Sequence, residues 1–117
     1  KAKKIQKKAS KKGFDWKETI DVIKKVEEEL TELKHEIQQN NKKKSQEELG
    51  DLLFSIINLS RHLKVDASEA INQANHKFVK RFSLMEEEIS KNAKEMDNLT
   101  SEELEEFWVK IKLHERN

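Results

Sequence analysis

No proline interrupts these 117 residues and only two glycines do, so long stretches contain nothing that breaks a helix or tightens a hairpin. Ala, Glu, Lys, Leu and Arg make up about half of the chain, the composition of long helices. Strand formers are sparse, which sets aside a sandwich, a barrel or a doubly wound sheet. The expected fold class is all-α, an antiparallel helical bundle. One domain over 1–117 is the most this length allows. With 34% hydrophobic residues the core of a lone copy is thin, so copies are expected to share apolar faces as a homodimer or larger assembly. No apolar run approaches the ~20 residues that span a bilayer. The lack of cysteine removes disulfide frameworks, thiol nucleophiles and zinc–thiolate sites. The expectation is a cytoplasmic protein with no membrane partner.

Charge is unevenly spread. Residues 1–17 hold eight Lys and a single acid, Asp15, while the remainder is net acidic. A Lys-rich arm over 1–12 can bind nucleic acid through phosphates. Ile5 and Ala9, however, keep a helical i, i+4 spacing through it, which favours the solvated face of a helix. The chain starts without Met, inside this pattern, and reads as a fragment of a longer protein.

Gly13 ends the first helical pattern, and Phe14-Asp15-Trp16 follows as an aromatic connector. The spacing predicts a second helix over 18–39, with Ile20, Ile23, Val26, Leu30, Leu33 and Ile37 on one stripe. Asn40 to Lys44 reads as a break. Ser45 with Glu48 then has the form of a capping box opening a third helix to about Leu63. Asp66 with Glu69 opens a fourth to about Ser90, carrying Ile71, Ala74, Phe78, Phe82, Met85 and Ile89. Thr100 with Glu103 opens a last helix through Leu104, Phe107, Trp108 and Ile111, after a polar loop over 91–99.

The third helix carries the strongest hint of a site. Its Leu and Ile residues cover more than half the circumference at 100° per residue, too broad for a surface helix. The remaining sector holds Glu48, Asp51, Ser55, Asn58 and His62 in one stripe. Carboxylates on a buried helix need partners. The second helix supplies Glu29 and Glu32 at i, i+3, and Glu48 and Asp51 repeat that spacing. Pairing the two helices antiparallel lets four carboxylates converge, where unneutralised charges repel. All-oxygen ligation without His or Cys favours Mg²⁺, with Mn²⁺ as a substitute, and Mg²⁺ commonly bridges to substrate phosphates.

Each part has a bland counterpart. The Glu27–Glu32 run can be a solvated face, and Glu48 can be a capping residue; the pairing of two acidic motifs carries the reading. Di-iron chemistry needs Glu-x-x-His twice. Glu32 and His35 supply one, but His62, His76 and His114 follow Leu59, Gln73 and Ile111 at that spacing. Lys77 and Arg81 at i, i+4 form either a phosphate clamp or a snorkelling pair. Trp108 and Lys112 repeat that spacing, with Trp108 either core or base-stacking.

The segments Lys12 to Trp16, Glu28 to Glu32, Glu48 to Phe54, Asn58 to His62 and Lys77 to Phe82 resemble, in order, the MazG family of nucleoside triphosphate pyrophosphohydrolases. The likeness runs on to Trp108 and Lys112 and is nearest to the C-terminal catalytic domain of two-domain bacterial members. It implies an all-α bundle completed by homodimerisation, which hydrolyses NTPs or dNTPs to monophosphate and pyrophosphate with Mg²⁺. Carried onto this sequence, it implies Glu29, Glu32, Glu48 and Asp51 as metal ligands and Glu28 as a water-orienting or supporting carboxylate. Lys77, Arg81, Trp108 and Lys112 match the nucleotide-handling set, and Lys25, Asn58 and Arg61 are further phosphate-contact candidates. The competing reading is a helical interaction module whose Lys-rich arm binds nucleic acid or a protein partner.

Overall fold

A computed structural model describes residues 1–92 and 94–116. It has five α-helices: α1 (Ala2–Lys11), α2 (Thr19–Gln38), α3 (Lys42–His62), α4 (Ala67–Lys91) and α5 (Ser101–Arg116). A 3₁₀ turn at Met96–Asn98 lies within the expected 91–99 loop. The described residues contain no strand, so the all-α class holds. None of the helices is long and apolar enough to cross a membrane.

One device ends the first three helices. Gly13, at φ 89°, lets the Phe14 amide reach the Ala9 carbonyl while its own amide bonds Ser10. That 6→1 and 5→2 pair is a Schellman cap, which requires a left-handed residue. Asn40 (φ 56°) and Lys64 (φ 59°) take the same role after α2 and α3, with Asn41 bonded to Glu36 and Val65 to Ser60. Asparagine tolerates this conformation; lysine adopts it at a steric cost.

The helix starts follow the sequence at two of three places. Thr100 and Glu103 bond each other's amides at 3.0 and 3.1 Å, a full capping box. Asp66 Oδ1 accepts from the amides of Ser68 and Glu69. The Ser45 start is corrected: α3 begins four residues earlier, because Asn41 Oδ1 accepts from the Lys44 amide and caps the helix first. Lys42, Lys43 and Lys44 are therefore helical, and Glu48 is not a capping residue.

The chain divides into two compact units, one ending at Glu69 and the other beginning at Ala70. In the first, α2 and α3 pair antiparallel across the short turn at 39–41, and α1 joins α3 through Gln6, whose Nε2 donates to the Phe54 carbonyl at 2.8 Å. Val22 is fully buried there. It was absent from the expected stripe, because the inward arc of α2 is centred on Val22, Val26, Glu29 and Leu33. Ile20, Leu30 and Ile37 stand on its exposed flank.

α3 turns most of its polar stripe inward, while Asp51 stays exposed. Ser55 is buried and satisfied by donating to the Leu52 carbonyl at 2.8 Å. Glu48, Asn58 and His62 are half-buried, whereas Leu49, Leu53, Phe54 and Ile56 are exposed.

The second unit is built on Met85, Ile89 and Ile111, against which Met96, Leu99, Leu104, Phe107 and Trp108 pack. The expected α4 stripe is thus buried only in its second half; Ile71 and Phe78 are exposed. Phe78 nevertheless stacks on Phe82 at 5.9 Å and meets Trp108 at 5.4 Å.

Candidate functional site

The α2–α3 hairpin sets a residue about ten positions before its turn opposite residues a similar distance after it. This register brings carboxylate oxygens of Glu29, Glu48 and Asp51 within 4.8 Å of one another. Glu32, one turn along α2 from Glu29, acts on Glu48 and helps to hold its carboxyl above the ordinary value.

Glu29 is 6% exposed. Its Oε1 is held at 3.0 Å by Lys25 Nζ, and this bond raises Lys25 above the ordinary lysine value against the opposing effect of burial. The pKa of Glu48 is raised, first by desolvation, then by Glu32 and by the charges of Asp51 and Glu29.

Two of these carboxylates keep one oxygen buried without a donor: Glu29 Oε2 and Glu48 Oε2. Such atoms are rare in folded proteins and costly to retain. A hard divalent cation satisfies them and removes the mutual repulsion of the acids. The donor set therefore fits a metal ion.

The other sequence candidates divide by location. Glu28 is largely exposed and pairs with Lys25 at 3.6 Å, outside the three-carboxylate group. Asn58 and Arg61 are engaged elsewhere: Arg61 Nη2 donates at 2.6 Å to Asn58 Oδ1 and at 2.6 Å to Asp15 Oδ1. Lys77, Arg81, Trp108 and Lys112 all belong to the second unit. There Lys77 is exposed, Arg81 and Lys112 are half-buried, and Trp108 packs on Phe78 and the core.

Sequence reasoning passed over Asp15 as a site-building residue. Arg61 Nη1, the His62 ring and the Trp16 amide also reach its carboxylate. The available signal was that Asp15 is the one acid among eight lysines.

Beside this cluster, Ile5, Ala9, Phe14, Trp16 and Phe54, with Gln6, line a cavity of about 370 Å³. Gln6 is 6% exposed, and its Oε1 is buried with no partner.

Comparisons with known proteins place the chain in a family. The model of the MazG nucleotide pyrophosphohydrolase domain matches residues 17–83. A Thermotoga maritima protein named nucleoside triphosphate pyrophosphohydrolase/pyrophosphatase MazG is 49% identical over 111 residues, 95% of this chain and 42% of its own length. An Escherichia coli K12 nucleoside triphosphate pyrophosphohydrolase is 40% identical over 116 residues, 97% of this chain and 44% of its own length. The uncharacterized protein YabN of Bacillus subtilis is 37% identical over 69 residues, 59% of this chain. The chain spans less than half the length of the first two relatives.

Proposed function

The chain belongs to the MazG nucleotide pyrophosphohydrolase domain family, and from that premise we propose that it hydrolyses nucleoside triphosphates, ribo or deoxy, to nucleoside monophosphate and pyrophosphate. The observation that carries this is the meeting of Glu29, Glu48 and Asp51 within 4.8 Å, with two buried carboxylate oxygens lacking donors.

Glu29, Glu32, Glu48 and Asp51 would hold Mg²⁺, with Mn²⁺ as a substitute, because oxygen donors alone suit hard cations. Bound there, the ion supplies neutralisation of the triphosphate and a more acidic water. In the reaction, water adds in line to the α-phosphorus and the α–β bridging P–O bond breaks. Pyrophosphate leaves with that bond's electron pair, and the monophosphate keeps the new oxygen. No covalent enzyme intermediate is required.

Lys25, fixed on Glu29, keeps that carboxylate oriented and adds positive charge at the edge of the cluster. Glu28, free of the three-carboxylate group, is the candidate to orient the attacking water. Lys77, Arg81, Trp108 and Lys112, which match the family's nucleotide-handling positions, are the candidates to handle the nucleotide. The exposed apolar flanks of α2 and α3 suit a second copy of the chain, so the active form is a homodimer or a larger homo-oligomer. The lysines of α1 serve as the solvated side of a helix that packs through Gln6, which favours the enzyme over a nucleic-acid module.

The test is an assay of the purified chain with mixed NTPs and Mg²⁺, resolving NMP from NDP. Pyrophosphate and NMP are expected. Asp51→Asn and Glu48→Gln should abolish release while circular dichroism stays helical; release that survives both removes the metal assignment.

A further inference from the structure

The positive charge of α1 is not answered by its own segment. All eight lysines of residues 1–17 are exposed, and among the described residues none of them is in an ion pair. The one acid of that stretch, Asp15, is held by Arg61 at 2.6 and 3.0 Å, so it neutralises none of them. At 100° per residue, the lysines of α1 cover the half of the helix opposite its buried and half-buried arc of Ala2, Gln6 and Ala9. Lys4 with Lys8, and Lys7 with Lys11, are like-charge neighbours at i, i+4, a spacing that weakens a helix. The packing of α1 through Gln6 needs none of this charge.

The same helix meets α3 next to the acids. Gln6 Nε2 donates to the Phe54 carbonyl at 2.8 Å. Phe54 stands three residues, about 4.5 Å of helix axis, from Asp51, a member of the carboxylate cluster. Glu29, Glu32, Glu48 and Asp51 outnumber the charge of one divalent ion, and the exposed Glu27 and Glu28 add to their field. A triphosphate is itself an anion and is repelled from such a site unless positive charge stands nearby. Exposed charges act through water over roughly 10 Å at 0.1 M salt and roughly 30 Å at 0.01 M. With its ten residues, α1 is about 15 Å long, so all of it lies within the longer of these ranges of the cluster.

We propose that the lysines of α1 are an electrostatic guide for the triphosphate, raising its concentration at the carboxylate site without touching it. The guide rests on the pyrophosphohydrolase reading and deepens it: what α1 attracts is the polyphosphate chain, whatever base it carries. Lysines that act through solvent have to stay hydrated and unpaired, as these are. A field of one sign beside a site speeds and strengthens the capture of an opposite charge, and salt screens it. Substrate binding, and not the chemical step, then carries the salt dependence.

The test replaces Lys4, Lys8 and Lys11, a stripe on the outer side of α1, together by Gln and, in a second protein, together by Arg. Both are good helix formers, so folding is not at stake. Calorimetry with Mg²⁺ measures the Kd of α,β-methylene-ATP, which cannot be cut at the α–β bridge, at about 10 mM and about 500 mM ionic strength. KM and kcat for ATP are read under the same conditions. At low salt the Gln protein should bind roughly tenfold more weakly, with KM raised to match and kcat unchanged. At high salt all three proteins should agree, and the Arg protein should follow the wild type throughout. A Kd that the Gln substitutions leave unchanged at low salt overturns the guide. So does a loss that persists at high salt, which marks direct contact, or a loss that the Arg protein shares. An unchanged Kd joined to lost retention on single-stranded RNA assigns the lysines to a nucleic acid and equally overturns it. Wild type that binds the analogue yet releases no pyrophosphate from ATP marks failure of the underlying activity and not of the guide, which the Kd values still decide.

Discussion

Arg61 grips Asp15 with both arms of its guanidinium, Nη1 to Oδ2 at 3.0 Å and Nη2 to Oδ1 at 2.6 Å, across 46 residues of sequence. The fork fixes the connector after α1 to the last turn of α3, so the aromatic residues on either side of Asp15 are placed by an ion pair. His62 Nε2 approaches the same carboxylate at 2.9 Å. Two successive residues at the end of α3 therefore meet the connector on one acid.

Because these bonds favour the ionised form, Arg61's above all, Asp15 titrates well below the usual carboxylate value, with burial acting in the opposite direction. A depressed native pKa means the unfolded chain takes up the proton first as acid is added. The stabilisation is complete above the ordinary Asp value, 3.8, and is lost progressively below it. Asp15→Asn should cost about 1–2 kcal/mol at neutral pH. The gap in melting temperature between wild type and variant should narrow as pH falls below about 4. Thermal melts at several pH values check both; a gap that widens in acid contradicts the bonding.

The start of α3 separates two caps. Asn41 Oδ1 holds the Lys44 amide, whereas Ser45 lies inside the helix. Asn41→Ala should lower stability by about 1 kcal/mol, and Ser45→Ala should stay within about 0.5 kcal/mol of wild type. Denaturant titrations of the two variants decide between Asn41 and Ser45 as the cap.

That misplacement shows where local pattern stops being informative. Gly13 and the Thr100–Glu103 box were legible because the residues that close each turn are neighbours in sequence. Asn41 and Ser45 are both good caps four residues apart, and the Glu at 48 suits either a box or an inward acid. The acids themselves were legible as two i, i+3 pairs, since helical geometry alone puts each pair on one face. Val22 was missed because apolar residues flank it on α2, and which part of a wide apolar arc turns inward depends on the partner helix. Asp15 and Gln6 were hidden for a related reason: their partners lie 46 to 48 residues away, and a glutamine among lysines looks solvated until α3 is set beside it.

The outward leucines of α3 predict association. Leu53 is 54% exposed, and Leu49, Phe54 and Ile56 are exposed beside it. An apolar patch of this kind marks an interaction surface. Leu53→Glu should leave helical content unchanged and shift the chain from dimer or larger to monomer in sedimentation experiments. The melting temperature of the wild type should rise with protein concentration, and that of the variant should not.

Glu48 predicts opposite pH trends with and without metal. Its raised pKa, caused by burial and then by Glu32 and the charges of Glu32, Asp51 and Glu29, means the folded chain holds this proton more tightly than the unfolded one. The contribution is complete below the ordinary Glu value, 4.5, and is lost as pH rises through the raised one. Metal-free protein should therefore lose this part of its stability on going from acid to neutral pH. Mg²⁺ competes with that proton, so it should raise the melting temperature more at pH 8 than at pH 5. Glu48→Gln removes the titrating group, and it should flatten the metal-free trend and erase the Mg²⁺ response. Since altering even a residue behind a metal ligand costs up to about 100-fold, pyrophosphate release should fall by at least that factor. Calorimetric melts at the two pH values, with and without Mg²⁺, read the first three effects independently of catalysis. An equal Mg²⁺ response at both pH values, or one that survives Glu48→Gln, would mean the ion binds elsewhere.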